Sequence, residues 1–193
     1  MKDLKHLYEF EKLLESANNA LVQQACAEGK HALAYTCYHM PEVLLNTGNC
    51  FSVRLRAPLT GSLDISSYYM SNFICDYCKS LLERGIEGGY NFLSGLMGTE
   101  TCSEMNRALE HFELLQLVDN EQFFVTFLDM PFKVTENTVR HYVDQLRRKV
   151  LTPLQEVYGV DVSDDALRKA VAEHNEVCEI ISEIAEMRKL DNP

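Results

Sequence analysis

The chain has 193 residues, of which 46% are hydrophobic and 24% are charged. This composition is typical of a globular protein and excludes a disordered chain or a coiled-coil rod. The net charge is -11, with 18 Lys and Arg against 29 Asp and Glu, so nucleic acid and anionic membranes are disfavoured as partners. No apolar run is long enough for a membrane span, and no export signal is recognisable, so we expect a cytoplasmic protein.

Seven cysteines are present, an odd number, and the chain is too large to need disulfides for stability. We therefore expect free thiols in a reducing compartment. Clustered thiols in that setting indicate metal binding or catalysis, while burial of isolated cysteines is the ordinary alternative.

The first third of the chain predicts one helix followed by two strands. Leucine and tyrosine recur at helical spacing over residues 3–25, and Gly29 is the expected stop. Apolar runs at 32–37 and 50–55 predict buried strands, and Pro41 favours the start of a short helix between them.

The middle of the chain predicts two more strands, each preceded by a helix. The helices are expected at 66–83 and 103–117, and the strands at 90–97 and 122–128. Strands separated by helices favour parallel crossover connections.

Two long helices are predicted to close the chain. The first spans 135–158, with a kink expected at Pro153, and the second begins at Ser163. An apolar stripe on the last helix is expected to be buried; it consists of Leu167, Ala170, Val171, His174, Cys178, Ile181 and Ile184.

These elements predict an α/β fold, a three-layer Rossmann-like domain around a roughly four-stranded parallel sheet. We expect one domain over 1–193, made of an N-terminal helix (1–30), a sheet core (31–134) and a helical closing segment (135–193).

Ligands of parallel sheets bind beyond the carboxyl ends of the strands. Cys37 ends the first predicted strand, Cys102 follows the third and opens a helix, and residues 129–131 follow the fourth. We therefore expect these three segments to share one edge. A thiolate at the start of a helix is also stabilised by the helix dipole.

Other thiols and imidazoles are predicted to have simpler roles. Cys50 begins a strand and belongs at the opposite edge, while Cys26 and Cys178 lie within helices and are expected to pack. His39 is expected at the surface, with contact to a ligand at the sheet edge as the alternative, and His174 is expected in the core.

Cys75 and Cys78 form a Cys-x-x-Cys pair with several interpretations. A thioredoxin-like pair needs a preceding strand and a helix N-terminus, which the predicted elements do not supply. A structural zinc site would need further ligands, for which Cys102, Cys37 or His111 are available. Iron–sulfur ligation and ordinary burial are the remaining interpretations.

Four segments together resemble the N-terminal domain of the 2-hydroxyacyl-CoA dehydratase family, which includes benzoyl-CoA reductase subunits and 2-hydroxyglutaryl-CoA dehydratase D-components. The segments are a strand with a Pro-Glu helix and Gly (35–48), a Cys-containing Lys-Ser segment (75–82), a Gly-x-x-x-Cys turn (98–102) and a helix that closes the first domain (166–176).

The resemblance implies a two-domain iron–sulfur subunit of which this chain is the N-terminal half. It implies a 4Fe-4S cluster held by three cysteines, of which Cys75 and Cys102 are two and the third belongs to the second domain. Cys78 and Cys37 are extra thiols that could substitute.

The implied activity is that of a lyase of anaerobic metabolism. One electron passes through the cluster to the thioester of a 2-hydroxyacyl-CoA, and the resulting radical loses the 2-hydroxyl group. The implied partners are a second dehydratase subunit in a heterodimer, an ATP-dependent iron–sulfur activator and the acyl-CoA substrate; the fragment alone is expected to be inactive. Two alternatives are a cluster-carrying electron-transfer or small-molecule reductase protein and a metal-free α/β binding module.

Overall fold

The centre of the fold is a sheet of four parallel strands, seen in a computed structural model that describes residues 5–190. The strands are β1 (His31–Tyr35), β2 (Cys50–Arg54), β3 (Leu93–Thr99) and β4 (Phe124–Leu128), in the order β2-β1-β3-β4. The predicted α/β class with a four-stranded parallel sheet is confirmed. Each predicted strand is present, with bounds shifted by up to three residues.

Helices connect and flank these strands. They are α1 (Lys5–Leu14), α2 (Ala20–Ala27), α3 (Asp64–Tyr69), α4 (Asp76–Ile86), α5 (Ser103–Leu114), α6 (Glu136–Leu146), α7 (Thr152–Tyr158) and α8 (Asp164–Glu186). Three short helical turns accompany them, a 3₁₀ helix at Glu42–Asn46, a π-helical turn at Arg147–Leu151 and a 3₁₀ turn at Met187–Lys189.

The sheet is buried on both faces, which makes three layers. In β1, Ala32 and Ala34 face a core that includes side chains of α2, α4 and α5. Leu33 and Tyr35 face a second core, formed with the 3₁₀ helix, the π-helical turn and α7. Alternate residues of a strand point to opposite faces, so a central strand covered by helices on both sides is apolar throughout.

Gly98 lets α5 pack directly against β3. A β-carbon at this position would lie 2.1 Å from Cδ1 of Leu109, which no real contact allows. The missing side chain therefore sets the distance between β3 and α5, and with it the position of the turn that carries Cys102.

The prediction of one continuous helix at 3–25 is wrong, because two separate helices occupy this region. The side chain of Asn19 accepts hydrogen bonds from the backbone N–H groups of Leu21 and Val22, at 3.0 and 3.2 Å. This N-cap starts α2 afresh after α1 has ended at Leu14. Residues 1–4 lie outside the described residues.

The predicted helix at 66–83 is also divided in two. Met70 has an extended backbone and ends α3, and α4 begins only at Asp76. Ser71 and Asn72 stand in the break, and such side chains compete with helical hydrogen bonds. The break places Cys75 at the N-cap of α4, which the sequence-based prediction did not expect.

Residues 136–158 form one helical segment, with an irregular turn just before Pro153. In this π-helical turn the N–H of Thr152 donates to the carbonyl of Arg147, five residues earlier. Proline has no N–H to donate, so a change of hydrogen-bond register before it fits the kink predicted there. Gly159, with φ +63°, ends α7.

The predicted buried stripe of α8 is wrong for most of its residues, since Leu167 and His174 are only half-buried. Only Ala170 is buried; Val171, Cys178, Ile181 and Ile184 are exposed. Within the described residues, α8 packs chiefly against the 3₁₀ helix, so its second half has no neighbour to cover it. No helix among residues 5–190 is long and apolar enough to cross a bilayer.

Candidate metal or cluster site

The strand order creates a crevice between the carboxyl ends of β1 and β3. The chain moves from β1 to β2 on one side and reaches β3 on the other, so β1 and β3 flank the point where the order reverses. Ligands of open α/β sheets bind at this point. Cys37 lies two residues beyond β1, and Cys102 lies three residues beyond β3.

Two helices begin beside this crevice, each with a cysteine at its N-cap. Cys75 precedes α4 and Cys102 precedes α5, and neither thiol caps a backbone N–H group of the helix that it opens. Both side chains are exposed, so a ligand can reach both sulfurs. The positive ends of two helix dipoles favour negative charge there.

Glu104, in the first turn of α5, links the two helix starts. Its Oε2 accepts a hydrogen bond of 2.9 Å from the backbone N–H of Cys75. One sulfur each from Cys75 and Cys78 and one carboxylate oxygen of Glu104 lie within 4.8 Å of one another. Thiolate and carboxylate ligands at such separations can share one metal ion.

Cys78 is the buried member of this group. Burial, the negative charges of Cys75 and Cys102 and a hydrogen bond to Cys75 together raise the pKa of its thiol from 9.0 to about 12. Cys78 therefore stays protonated at neutral pH while the site is empty of metal. Binding a metal would release that proton.

Cys102 and Cys37 lie around this three-residue group without belonging to it. The charge of Cys102 acts on Cys78. Burial raises the pKa of the Tyr77 phenol, the charge of Arg54 lowers it, and the charges of Cys78, Cys37 and Cys75 raise it. The carboxyl edge thus gathers the four thiols at 37, 75, 78 and 102.

Lys79 brings a positive charge close to the same edge. Its side chain is almost fully buried, and Nζ lies 2.9 Å from Oδ1 of Asp76 in the first turn of α4. The buried ammonium group and the two helix N-termini all favour anions nearby. An anionic ligand would be favoured here.

The remaining cysteines lie elsewhere. Cys50 pairs with His31 at the opposite edge of the sheet, as predicted, and burial raises its pKa to about 12. Cys26 is half-buried in α2, as its predicted packing role requires. Cys178 is exposed on α8, so the predicted packing role is wrong for this thiol.

The two histidines singled out by the sequence differ in outcome. His39 is exposed, as expected. His174 is not a core residue, because 31% of its side chain is exposed and its ring contacts Glu42 and Cys178. The prediction failed because it assumed that α8 is buried along its length.

Residues 129–131 follow β4 as predicted, and a side chain of α6 hydrogen-bonds to the first of them. The backbone N–H and carbonyl of Asp129 bond to the side chain of buried Gln145, at 2.9 and 3.0 Å. The Asp129 carboxylate lies 3.4 Å from Nε2 of His141. This segment borders the edge without contributing to the group around Cys75.

Sequence reasoning missed Glu104 as a candidate ligand. The available signal was its place in the first turn of a helix, two residues after Cys102. The prediction of helix at 66–74 concealed the N-cap position of Cys75, and only the tertiary fold brings Glu104 beside it.

The fold and the site define the class of this protein as a parallel α/β domain with thiols at the carboxyl edge of its sheet. Residues 37–193 match the family model described as 2-hydroxyglutaryl-CoA dehydratase, D-component. The chain belongs to this family, as its four resembling segments indicated.

Two curated relatives agree with this assignment. The chain is 22% identical over 181 residues to the (R)-phenyllactyl-CoA dehydratase beta subunit of Clostridium sporogenes, covering 94% of this chain and 47% of that protein. It is 23% identical over 169 residues to the (R)-2-hydroxyglutaryl-CoA dehydratase subunit beta of Acidaminococcus fermentans, covering 86% and 43%. The chain therefore spans about half the length of these relatives, and its place as the first of two domains stays a prediction.

Proposed function

We propose that this chain is the cluster-bearing half of a 2-hydroxyacyl-CoA dehydratase subunit, with Cys75 and Cys102 as ligands of a 4Fe-4S cluster. The observation that carries the proposal is the pair of cysteine N-caps beside the β1–β3 crevice. The dehydratase names of both relatives supply the reaction class, loss of water from a 2-hydroxyacyl-CoA.

The residues at this edge suit an iron–sulfur cluster. Thiolates are the usual ligands of such clusters, and four thiols lie at the same edge. Cys75 and Cys102 each stand at the N-cap of a helix, where the helix dipole favours negative charge. Cys78 and Cys37 are the extra thiols available, and Glu104 is an oxygen ligand within reach of Cys75.

A bound cluster would supply one-electron transfer to the thioester and an open coordination position for a substrate oxygen. The chain's own part is to place the thiolates, to hold Cys78 away from water and to offer the positive charge of Lys79. Under this proposal the third cluster ligand of the whole subunit comes from another domain, and in the isolated chain Cys78 or Cys37 would take its place. The partners would be a second dehydratase subunit, an ATP-dependent iron–sulfur activator and the acyl-CoA.

The number of thiols favours a second candidate, a cluster-carrying electron-transfer or small-molecule reductase protein. If Cys37, Cys75, Cys78 and Cys102 all served as ligands, no coordination position would remain for a substrate. Tight retention of a 2-hydroxyacyl-CoA by the cluster-loaded chain would favour the dehydratase. Its failure to bind any acyl-CoA would favour the second candidate.

The direct test is anaerobic reconstitution of the chain with iron and sulfide, followed by iron analysis and electron paramagnetic resonance. We expect a brown protein with about four irons per chain. Cys75→Ser and Cys102→Ser should each lose most of the iron, while Cys26→Ser, the matched control in α2, should keep it. Iron uptake that survives both site substitutions, or an unaltered chain that takes up no iron, would contradict the proposal.

A further inference from the structure

Four polar side chains form a continuous line on the opposite face of the sheet from α4 and α5. The Sγ of Cys178 lies 3.4 Å from Nε2 of His174, one turn earlier on α8. The Nδ1 of the same ring lies 3.6 Å from Oε1 of Glu42. The other carboxylate oxygen of Glu42 accepts a hydrogen bond from the hydroxyl of Tyr35.

This order is that of a nucleophile, its base and a group that orients the base. Cys178 is exposed, so a reagent can reach its sulfur. His174 can take the thiol proton at Nε2 while the carboxylate at Nδ1 stabilises the imidazolium that results. The Cys-x-x-Cys edge contributes none of these groups.

The line is anchored in the core rather than at the surface. Tyr35 is buried at the end of β1, and burial together with Glu42 raises the pKa of its phenol, so its hydroxyl remains a donor. Glu42 lies in the 3₁₀ helix, where the buried Tyr35 hydroxyl fixes one of its carboxylate oxygens and the other contacts His174. Two exposed residues on a lone helix would not have this support.

We propose that Cys178 is a modification site that exchanges with small cationic disulfides, with His174 as its base and Glu42 as a positioning residue. This inference is independent of the proposed dehydratase function.

In the exchange, His174 accepts the proton of the Cys178 thiol. The sulfur attacks one sulfur of the disulfide, a new S–S bond forms, and the old S–S bond breaks. The leaving thiolate takes the proton back from His174. One disulfide is consumed and one mixed disulfide and one thiol are formed, so no further oxidant or reductant is required.

The surroundings of Cys178 favour a disulfide over an acyl group. Acyl transfer would need donors for a developing oxyanion, but beside the single amide of Asn175 the surface depression at Cys178 contains the carboxylates of Glu179 and Glu183, which repel such an anion. The Ser182 hydroxyl there already donates to the carbonyl of Cys178. Disulfide exchange develops charge on sulfur alone and needs no such donors.

The charge of α8 selects the kind of disulfide. Between Ala170 and Glu186 the helix carries five glutamates and no lysine or arginine. A cationic disulfide is therefore attracted and an anionic one repelled, by an interaction that salt weakens.

The probe is cystamine, compared with the dianion of 3,3′-dithiodipropionate, under anaerobic conditions. Acid-quenched samples are digested with trypsin, and mass spectrometry follows the peptide 170–188, in which Cys178 is the sole cysteine. At neutral pH we expect cystamine to react about tenfold faster with the unaltered chain than with His174→Gln. Cystamine should also outpace the dianion by about tenfold at low salt, with the ratio shrinking as salt is added.

Two controls keep the test specific. Ser182→Ala removes a side chain that bonds to the Cys178 carbonyl but not to its sulfur, so its rate should be unchanged. The rate of Glu42→Gln with cystamine should lie between those of the unaltered chain and His174→Gln. As the pH is raised from about 6 to about 9, exposed thiols ionise without a base, so the rates of Glu42→Gln and the unaltered chain should converge. A merely structural role for Glu42 would lower the rate by the same factor at every pH.

Equal cystamine rates for the unaltered chain and His174→Gln would overturn the assignment of the base. A dianion that reacts as fast as cystamine would overturn the selection by charge. Circular dichroism of each variant, His174→Gln included, checks that a changed rate is not caused by a loss of folding.

Discussion

The two edges of the sheet hold the same kind of side chain in different surroundings. At the amino edge Cys50 is a single thiol, and burial alone raises its pKa to about 12. At the carboxyl edge Cys78 reaches a similar pKa through burial and through the charges of Cys75 and Cys102. An equal pKa therefore does not mean an equal role.

The difference lies in what surrounds each sulfur. Cys50 has strand neighbours and a closed core, with no second thiol acting on its pKa. Cys78 has a thiol and a carboxylate within 4.8 Å and two helix N-termini nearby. A cysteine at the carboxyl end of a parallel strand or at the start of a helix can bind a ligand, whereas a cysteine at the beginning of a strand packs in the core.

The largest expected effect is on metal affinity, and it tests the contrast between the edges directly. Cobalt(II), a spectroscopic substitute for zinc or iron, should bind the chain with intense thiolate absorption. Cys75→Ser should weaken binding by about 100-fold or more, because it removes a direct ligand. Cys50→Ser is the matched control and should leave the affinity unchanged; equal losses in both variants would abolish the contrast.

A second prediction concerns the backbone that places the carboxyl edge. Gly98→Val should lower the free energy of unfolding by about 1–3 kcal/mol, since its side chain would force α5 away from β3. Cobalt affinity should fall with it, because α5 carries Cys102 and Glu104. Gly61→Val is the control, as a β-carbon there meets nothing within 4 Å. Urea unfolding measures the change in stability, and cobalt titration measures the change in affinity. If Gly98→Val is destabilised but binds cobalt with unchanged affinity, the position of α5 does not determine the geometry of the site.

The sequence predicted the sheet well because each strand carries its own signal. The runs at 32–37 and 122–128 are apolar, β-branched or aromatic, and short, which are local properties. The rule for parallel sheets then separated Cys37 and Cys102 from Cys50 without coordinates. These steps depend on neighbours in sequence and on topology, and both can be read from the chain.

Two other features depended on contacts that no local pattern reveals. The apolar stripe of α8 looks like that of a core helix, yet only Ala170 is buried among the described residues. The contact between Cys75 and Glu104, 29 residues apart in sequence, needs α4 and α5 to begin side by side. Periodicity indicates that a helix has an apolar face, but not that something covers it.

A third prediction uses alkaline pH to measure the burial of Cys50. Its ordinary pKa of 9.0 is raised to about 12, so between these values the folded chain keeps a proton that the unfolded chain has lost. The folded state then binds more protons, and the free energy of unfolding falls as pH rises through this window. Below it Cys50 contributes no pH dependence.

Cys50→Ala should therefore flatten the pH dependence of the free energy of unfolding, measured by urea titration at several pH values above 9. The slope is the quantity compared, because the cavity left by the substitution costs the same at every pH. Cys78→Ala should flatten it similarly in the metal-free chain. Cobalt should remove the Cys78 contribution and spare that of Cys50. An unchanged slope in Cys50→Ala would contradict the burial assigned to this thiol.

The smallest expected effect isolates the charge of Glu104. Its carboxylate raises the pKa of Cys78, but the charge of Cys75 acts more strongly. Glu104→Gln keeps an oxygen that can accept the Cys75 N–H and removes the negative charge, so the pKa of Cys78 should fall slightly, and by less than in Cys75→Ser. The ultraviolet absorbance of the thiolates, followed in a background that keeps only Cys75 and Cys78 of the seven cysteines, measures both shifts. Glu110→Gln on the same helix is the control, because Glu110 pairs with Arg107 and no effect of it on Cys78 is found. A larger shift in Glu104→Gln than in Cys75→Ser would mean that the carboxylate, rather than the neighbouring thiol, dominates the electrostatics of this edge.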